Sequence, residues 1–168
     1  VSYGDQVKMA EGVPVFVQAK EDNHFKVTVE QLEAARTDKT KVLVLNSPSN
    51  PTGMIYSREE LLAIGNWAVA HDVLILADDI YGRLVYNGNE FVPISSLSEA
   101  IRKQTIVING VSKAYAMTGW RVGYAVGNPE IIAAMSKLTG QTTSNLTAVS
   151  QYATIEALTG PQDSVETM

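Results

Sequence analysis

Lys41-Val-Leu-Val-Leu-Asn-Ser-Pro-Ser-Asn-Pro-Thr-Gly53 is the stretch whose reading decides the fold. Lys41 to Asn46 is a continuous run of β-branched residues and leucine, the pattern of a strand covered on both faces, as in parallel sheets. Two prolines and a glycine then forbid regular structure from Ser47 to Gly53. Two more apolar runs follow, Val73 to Ala77 and Thr105 to Asn109. Between the first pair, Ser57 and Glu60 form a capping box, and Leu61, Leu62, Ile64, Trp67 and Ala68 recur at helical spacing up to His71. Strand, helix and strand in this order predict an α/β fold, a mostly parallel sheet with helices on both faces.

Upstream, Val13 to Val17 has the look of a short strand, and Thr28 with Gln31 forms a capping box ahead of Leu32, Ala34 and Ala35. Downstream, Asn87-Gly88 predicts a tight turn within a hairpin or a compact loop, and Arg121 to Val126 a further strand. Asn128 caps a helix with Pro129 at its first position, running through Ile131, Ile132, Met135 and Leu138. A last helix, about Leu146 to Leu158, stops at Gly160-Pro161. No internal repeat or low-complexity segment divides the chain, so one domain is expected.

The composition narrows the function. Over 168 residues, 13 Lys and Arg stand against 18 Asp and Glu, a net charge of −5. That balance argues against nucleic acid as a partner, since phosphate binding draws on a surplus of basic side chains on one face. Cysteine is absent, which excludes a disulfide framework and a catalytic thiol and makes a cytoplasmic location the expectation. No apolar stretch is long enough to span a bilayer, and no signal peptide opens the chain, so no membrane partner is expected. His24 and His71 are too isolated for a metal site, and none is expected. Neither phosphate-loop glycine motif is present. Trp67 and Trp120 are expected to pack, Asp79 to be structural or solvated, and the sequon at Asn145 to start a helix.

In open α/β sheets ligands bind beyond the carboxyl ends of the strands. After the first run stands Asn50, after the second Asp78 and Tyr81, and after the third Ser112 and Lys113, with Arg121 eight residues on. Any one of these alone would be an ordinary solvated group; together they are a candidate site. A partly desolvated lysine offers a free amine for a Schiff base. Arg121 offers a forked donor for a phosphate, with Ser112 adding a hydroxyl. Asp78 can keep a heteroaromatic nitrogen protonated, because a unit charge at about 4 Å and an effective ε near 20 contributes roughly 4 kcal/mol. An aldehyde, a phosphate and a ring nitrogen in one ligand describe pyridoxal 5'-phosphate.

Gly110-Val-Ser-Lys-Ala-Tyr-Ala-Met-Thr-Gly-Trp-Arg-Val-Gly123 resembles the pyridoxal-phosphate attachment signature of class I and II aminotransferases of fold type I. Asn50-Pro-Thr-Gly53 and Asp78-Asp-Ile-Tyr81 match two further motifs of that family in the same order, and the resemblance is closest to the bacterial aspartate aminotransferase branch. It implies that Lys113 is the catalytic residue, binding the cofactor as a Schiff base and shuttling the substrate proton. Asp78 pairs with the ring nitrogen, Tyr81 and Asn50 bond the ring oxygen, Asn50 also lies near the substrate carboxylate, and Ser112 and Arg121 bind the phosphate. Gly110 departs from family members that place another phosphate-binding serine there.

The same resemblance makes residues 1–168 the central part of the large cofactor-binding domain of a longer protein, without its N-terminal segment or its C-terminal small domain. The chain's opening on Val1 rather than Met fits that reading. The implied parent is a homodimer in amino-acid metabolism that moves an amino group between an L-amino acid, aspartate or a similar one, and a 2-oxo acid. The isolated chain, lacking the substrate clamp, is expected to be inactive. Two alternatives share the fold: a pyridoxal-phosphate-dependent lyase, and the cofactor-sensing domain of a transcription regulator.

Overall fold

The computed structural model describes residues 2–168. Its centre is a four-stranded sheet of β1 (Val42–Asn46), β2 (Leu74–Asp78), β3 (Thr105–Gly110) and β4 (Gly123–Val126), in that spatial order. The first three strands are parallel, with Asn46 level with Asp78 and Asp78 level with Ile108. β4 runs antiparallel to β3, pairing Gly110 with Gly123. The expected strand from Arg121 is therefore shorter by two residues, and it is the member that makes the sheet mixed.

Seven helices accompany the sheet among the described residues: α1 (Tyr3–Met9), α2 (Val29–Ala35), α3 (Arg58–Ala70), α4 (Glu99–Lys103), α5 (Pro129–Thr142), α6 (Ala148–Thr159) and α7 (Asp163–Thr167). Both capping boxes form. At α2 the Thr28 hydroxyl accepts from the Gln31 N–H while Gln31 accepts from the Thr28 N–H, and Ser57 and Glu60 do the same at α3. Asn128 and Thr147 cap α5 and α6 through side-chain oxygens. Asn87 and Gly88 both have positive φ, yet no strand flanks them, so of the two expectations the compact loop is the one that forms.

Burial alternates along the strands rather than covering both faces alike. Leu45, Ile75 and Ala77 are buried, whereas Val44 and Leu76 are half-buried. On the sealed side α3 contributes Leu61, Ile64, Trp67 and Ala68, and Leu32, Ile94 and Ile101 complete the cluster. Each of these leucines and isoleucines, fully removed from water, contributes about 1.5–3 kcal/mol. Gly65 permits the closest approach, since a Cβ there would lie 2.5 Å from the tip of Ile101.

α2 is fastened to α3 by one carboxylate. Glu33 accepts from Arg36 Nε and Nη2 at 3.0 and 2.8 Å and from Trp67 Nε1 at 2.8 Å, with His71 Nε2 at 3.3 Å. The Arg36 and Trp67 hydrogen bonds hold its carboxyl down at about 2. A depressed acid stabilises the fold above its unfolded range and stops doing so as pH falls through the folded value. Thermal unfolding followed between pH 5 and 2 is therefore expected to show a shallower loss of stability in Glu33→Gln than in the wild type, the variant starting lower at pH 5. Parallel curves would refute this.

One expectation fails and one is narrowed. Val13 to Val17 forms no strand: the segment pairs with no strand of the sheet, and Val13, Val15 and Phe16 are exposed. Alternation makes a strand only where a neighbour supplies the ladder. Of the two readings of Asp79, structural or solvated, burial leaves the structural one, its residue being 7% exposed.

Candidate active site

The three parallel strands deliver their carboxyl ends to one rim. Asn46, the last residue of β1, ties the rim together: its Nδ2 donates to the Asp78 carbonyl at 3.0 Å, and its Oδ1 accepts from the Asn50 N–H at 3.1 Å. The proline-rich loop is thereby folded back over the end of β2. Gly53, at φ 71°, makes the reversal that brings the Met54 carbonyl back to the Ser49 N–H. Asn50 Nδ2 then donates to the Tyr81 hydroxyl at 3.1 Å. Lys113 Nζ lies over the Tyr81 ring, 5.8 Å from its centroid.

Asp78 closes β2 with both oxygens engaged. Oδ1 accepts from the Ile80 N–H at 3.2 Å, and Oδ2 accepts from the Tyr3 hydroxyl. Burial first, then donation to Asp78 and the nearby negative charge, push the Tyr3 phenol well above its usual range, so Tyr3 stays a donor. Nothing in the sequence singles out Tyr3, which sits 75 residues from its acceptor. Asn46 had a readable signal, a polar amide ending an apolar strand.

Ser112 and Arg121 flank the lysine. Ser112 is half-buried directly before it, and Arg121 is exposed at the foot of β4. Between Lys113 and β4 the chain reverses through two left-handed residues, Ala116 at φ 51° and Arg121 at φ 56°. Such backbone costs a non-glycine residue about 1 kcal/mol or more. The reversal brings the start of an antiparallel strand to the rim where the parallel strands end, and Arg121, two residues before that strand, comes with it. Its Nη1 donates to the Thr118 carbonyl at 2.8 Å. Gly110 has a packing reason: a Cβ there would lie 2.7 Å from the Val122 carbonyl oxygen, so a serine side chain has no room.

Thus Tyr81 is the meeting point of Asn50, on its hydroxyl, and Lys113, over its ring, while Asp78 stands on the same rim and Ser112 and Arg121 lie on the lysine loop. The set offers an amine, an oriented carboxylate, a phenol paired with an amide, and a guanidinium. The profile of the family described as aminotransferase class I and II matches residues 1–168. The chain belongs to that family. An asparagine–oxo-acid transaminase of Streptococcus mutans serotype c is 74% identical over the whole chain, and an aspartate aminotransferase of Bacillus sp. (strain YM-2) is 57% identical. In both cases the chain spans 43% of the relative's length. The crystal structure of the aspartate aminotransferase from Rhizobium meliloti superposes with a TM-score of 0.96 at 44% identity, over 99% of this chain and 42% of that one. The mixed four-stranded sheet with its helices is thus part of the aminotransferase fold.

Proposed function

We propose that the protein containing this chain is a pyridoxal-phosphate-dependent aminotransferase moving an amino group from aspartate or asparagine to a 2-oxo acid, with residues 1–168 as the central part of its large cofactor-binding domain. The observation that carries the reading is the contact set at the rim, with Lys113 over the Tyr81 ring and Asn50 on the Tyr81 hydroxyl. The donor set fits the cofactor, one group answering each of its functions. Lys113 would hold the aldehyde carbon, Asp78 the ring nitrogen, Tyr81 and Asn50 the ring hydroxyl, and Ser112 with Arg121 the phosphate.

Bound there, pyridoxal phosphate supplies an electron sink for negative charge at the substrate α-carbon. The chain's own residues do the rest. Asp78, oriented by Tyr3 and the Ile80 N–H, holds the proton on the ring nitrogen. Lys113 Nζ takes and returns the α-proton, and Asn50 orients the substrate carboxylate. The relatives' names support a four-carbon amino acid, with asparagine favoured by the more similar of the two. We also propose a cytoplasmic homodimer. Absence of cysteine supports the compartment, and the exposed row of Val149, Tyr152 and Ile155 on α6 supports an apolar partner surface. Assaying the cofactor-loaded full-length protein with asparagine, aspartate and aromatic donors against a 2-oxo acid tests the reading. Turnover is expected with one or both four-carbon donors; no amino transfer from any donor would overturn it.

A further inference from the structure

Asp79 is an acid for which the proposed chemistry has no use. It follows Asp78 directly, and the pleat sends the two carboxyls to opposite faces: Asp78 to the rim, Asp79 to the sealed side with Leu45 and Ala77. Two hollows meet at it. One is a crevice of about 10 Å³ walled by Leu45, Leu61, Phe91 and Ile94, and the other a cavity of about 260 Å³ bordered by Arg83, Asn109, Tyr115, Tyr124 and Leu158.

Among the described residues, no N–H or O–H donates to the Asp79 carboxyl, and it is in no salt bridge. The cation on the cavity wall is committed elsewhere. Arg83 Nη1 donates to Gln162 Oε1 at 2.6 Å, the Arg83 guanidinium lies 5.8 Å from the Tyr115 ring centroid, and the Tyr115 hydroxyl donates to the same glutamine oxygen at 3.0 Å. The ionisable neighbours are therefore Asp78 behind it and Arg83, Tyr115 and Tyr124 around the cavity, while β1, α3 and the segment at 91–94 present only apolar side chains and the Ser47 hydroxyl. With the little solvent contact its 7% exposure leaves, a carboxylate without protein donors in such surroundings costs more to maintain than the neutral acid does.

We propose that Asp79 is a positioning residue of the cofactor site: held as the neutral acid, it leaves Asp78 the one negative charge at the end of β2, and its ionisation on the alkaline side places a second charge behind the ring nitrogen. This rests on the functional reading above. Burial, and after it the charge of Asp78, push the Asp79 carboxyl up to about 7, in agreement with the geometry. The second charge would favour every proton held at the rim, so protonation of the cofactor-bound site would persist to higher pH than it does with a neutral side chain at position 79.

The test compares the full-length protein with Asp79→Asn, an amide of the same shape as the acid. In cofactor-free protein, a ¹³C carboxyl resonance absent from the variant should titrate near pH 7. A raised acid stabilises the fold below its unfolded range and loses that contribution as pH rises through its folded value. The wild type should therefore lose thermal stability relative to Asp79→Asn between pH 4 and 8. With pyridoxal phosphate bound, the pH midpoint of the cofactor's absorption band should be lower in Asp79→Asn by about half a pH unit or more.

A wild-type Asp79 carboxyl titrating in the ordinary range near 4 overturns the neutral acid, and with the resonance assigned through its own backbone in the wild type this measurement needs no variant to fold. An unmoved midpoint overturns the link to the cofactor site alone. A wild type that forms no cofactor band overturns the functional reading, and the link with it, while the carboxyl titration still reports on the acid.

Discussion

Lys113→Ala is expected to lose covalent attachment of the cofactor and to slow amino transfer by at least about ten-thousand-fold, because one nitrogen serves as anchor and as proton carrier. Its contacts make it a clean deletion. Lys113 is half-buried over the Tyr81 ring and belongs to no salt bridge among the described residues, so truncation strands no buried partner. Two measurements decide the matter. The absorption band of lysine-bound cofactor should be absent from the variant, and single-turnover rates with asparagine or aspartate should collapse while the unfolding temperature stays within a few degrees of the wild type. A band that persists unchanged would mean that another amine is the attachment point.

Asp78→Ala is expected to separate binding from turnover. Attachment through Lys113 should survive, whereas the amino-transfer rate should fall by about three orders of magnitude. That figure follows from a carboxylate at about 4 Å from a cationic nitrogen, worth roughly 4 kcal/mol at an effective ε of 20, with each 1.36 kcal/mol a factor of ten in rate. Tyr3→Phe removes the hydrogen bond on Oδ2 but keeps the charge, and should therefore fall between wild type and Asp78→Ala. Near-normal turnover in Asp78→Ala would remove Asp78 from its proposed role.

The elements legible in the sequence are those whose signal is local. Lys41 to Asn46, Val73 to Ala77 and Thr105 to Asn109 lie within a residue or so of β1, β2 and β3, and the capping boxes at Thr28 and Ser57 start α2 and α3 as expected. The short helices α1, α4 and α7, of seven, five and five residues, lie below the length at which periodicity carries information, and helices so short owe their stability to packing and caps. Strand direction is equally silent in side-chain period, so the antiparallel course of β4 waited for the three-dimensional fold. At the site, Asn50, Asp78, Tyr81 and Lys113 were marked by their positions after apolar runs. Tyr3 was not, because a hydrogen bond spanning 75 residues leaves no pattern in either segment. Asp79, structural or solvated by sequence alone, is decided by the pleat: sides alternate, so of two adjacent acids at a strand end one turns inward.

The reversal between β3 and β4 has a mechanical consequence. Lys113 and Arg121 lie on one short loop whose two ends are clamped to each other by the Gly110–Gly123 rung of the ladder. The backbone stations from which amine and guanidinium reach out thus belong to one tether, whatever any other part of a longer protein does. Movement elsewhere carries the two stations together, as the two jaws of one tool.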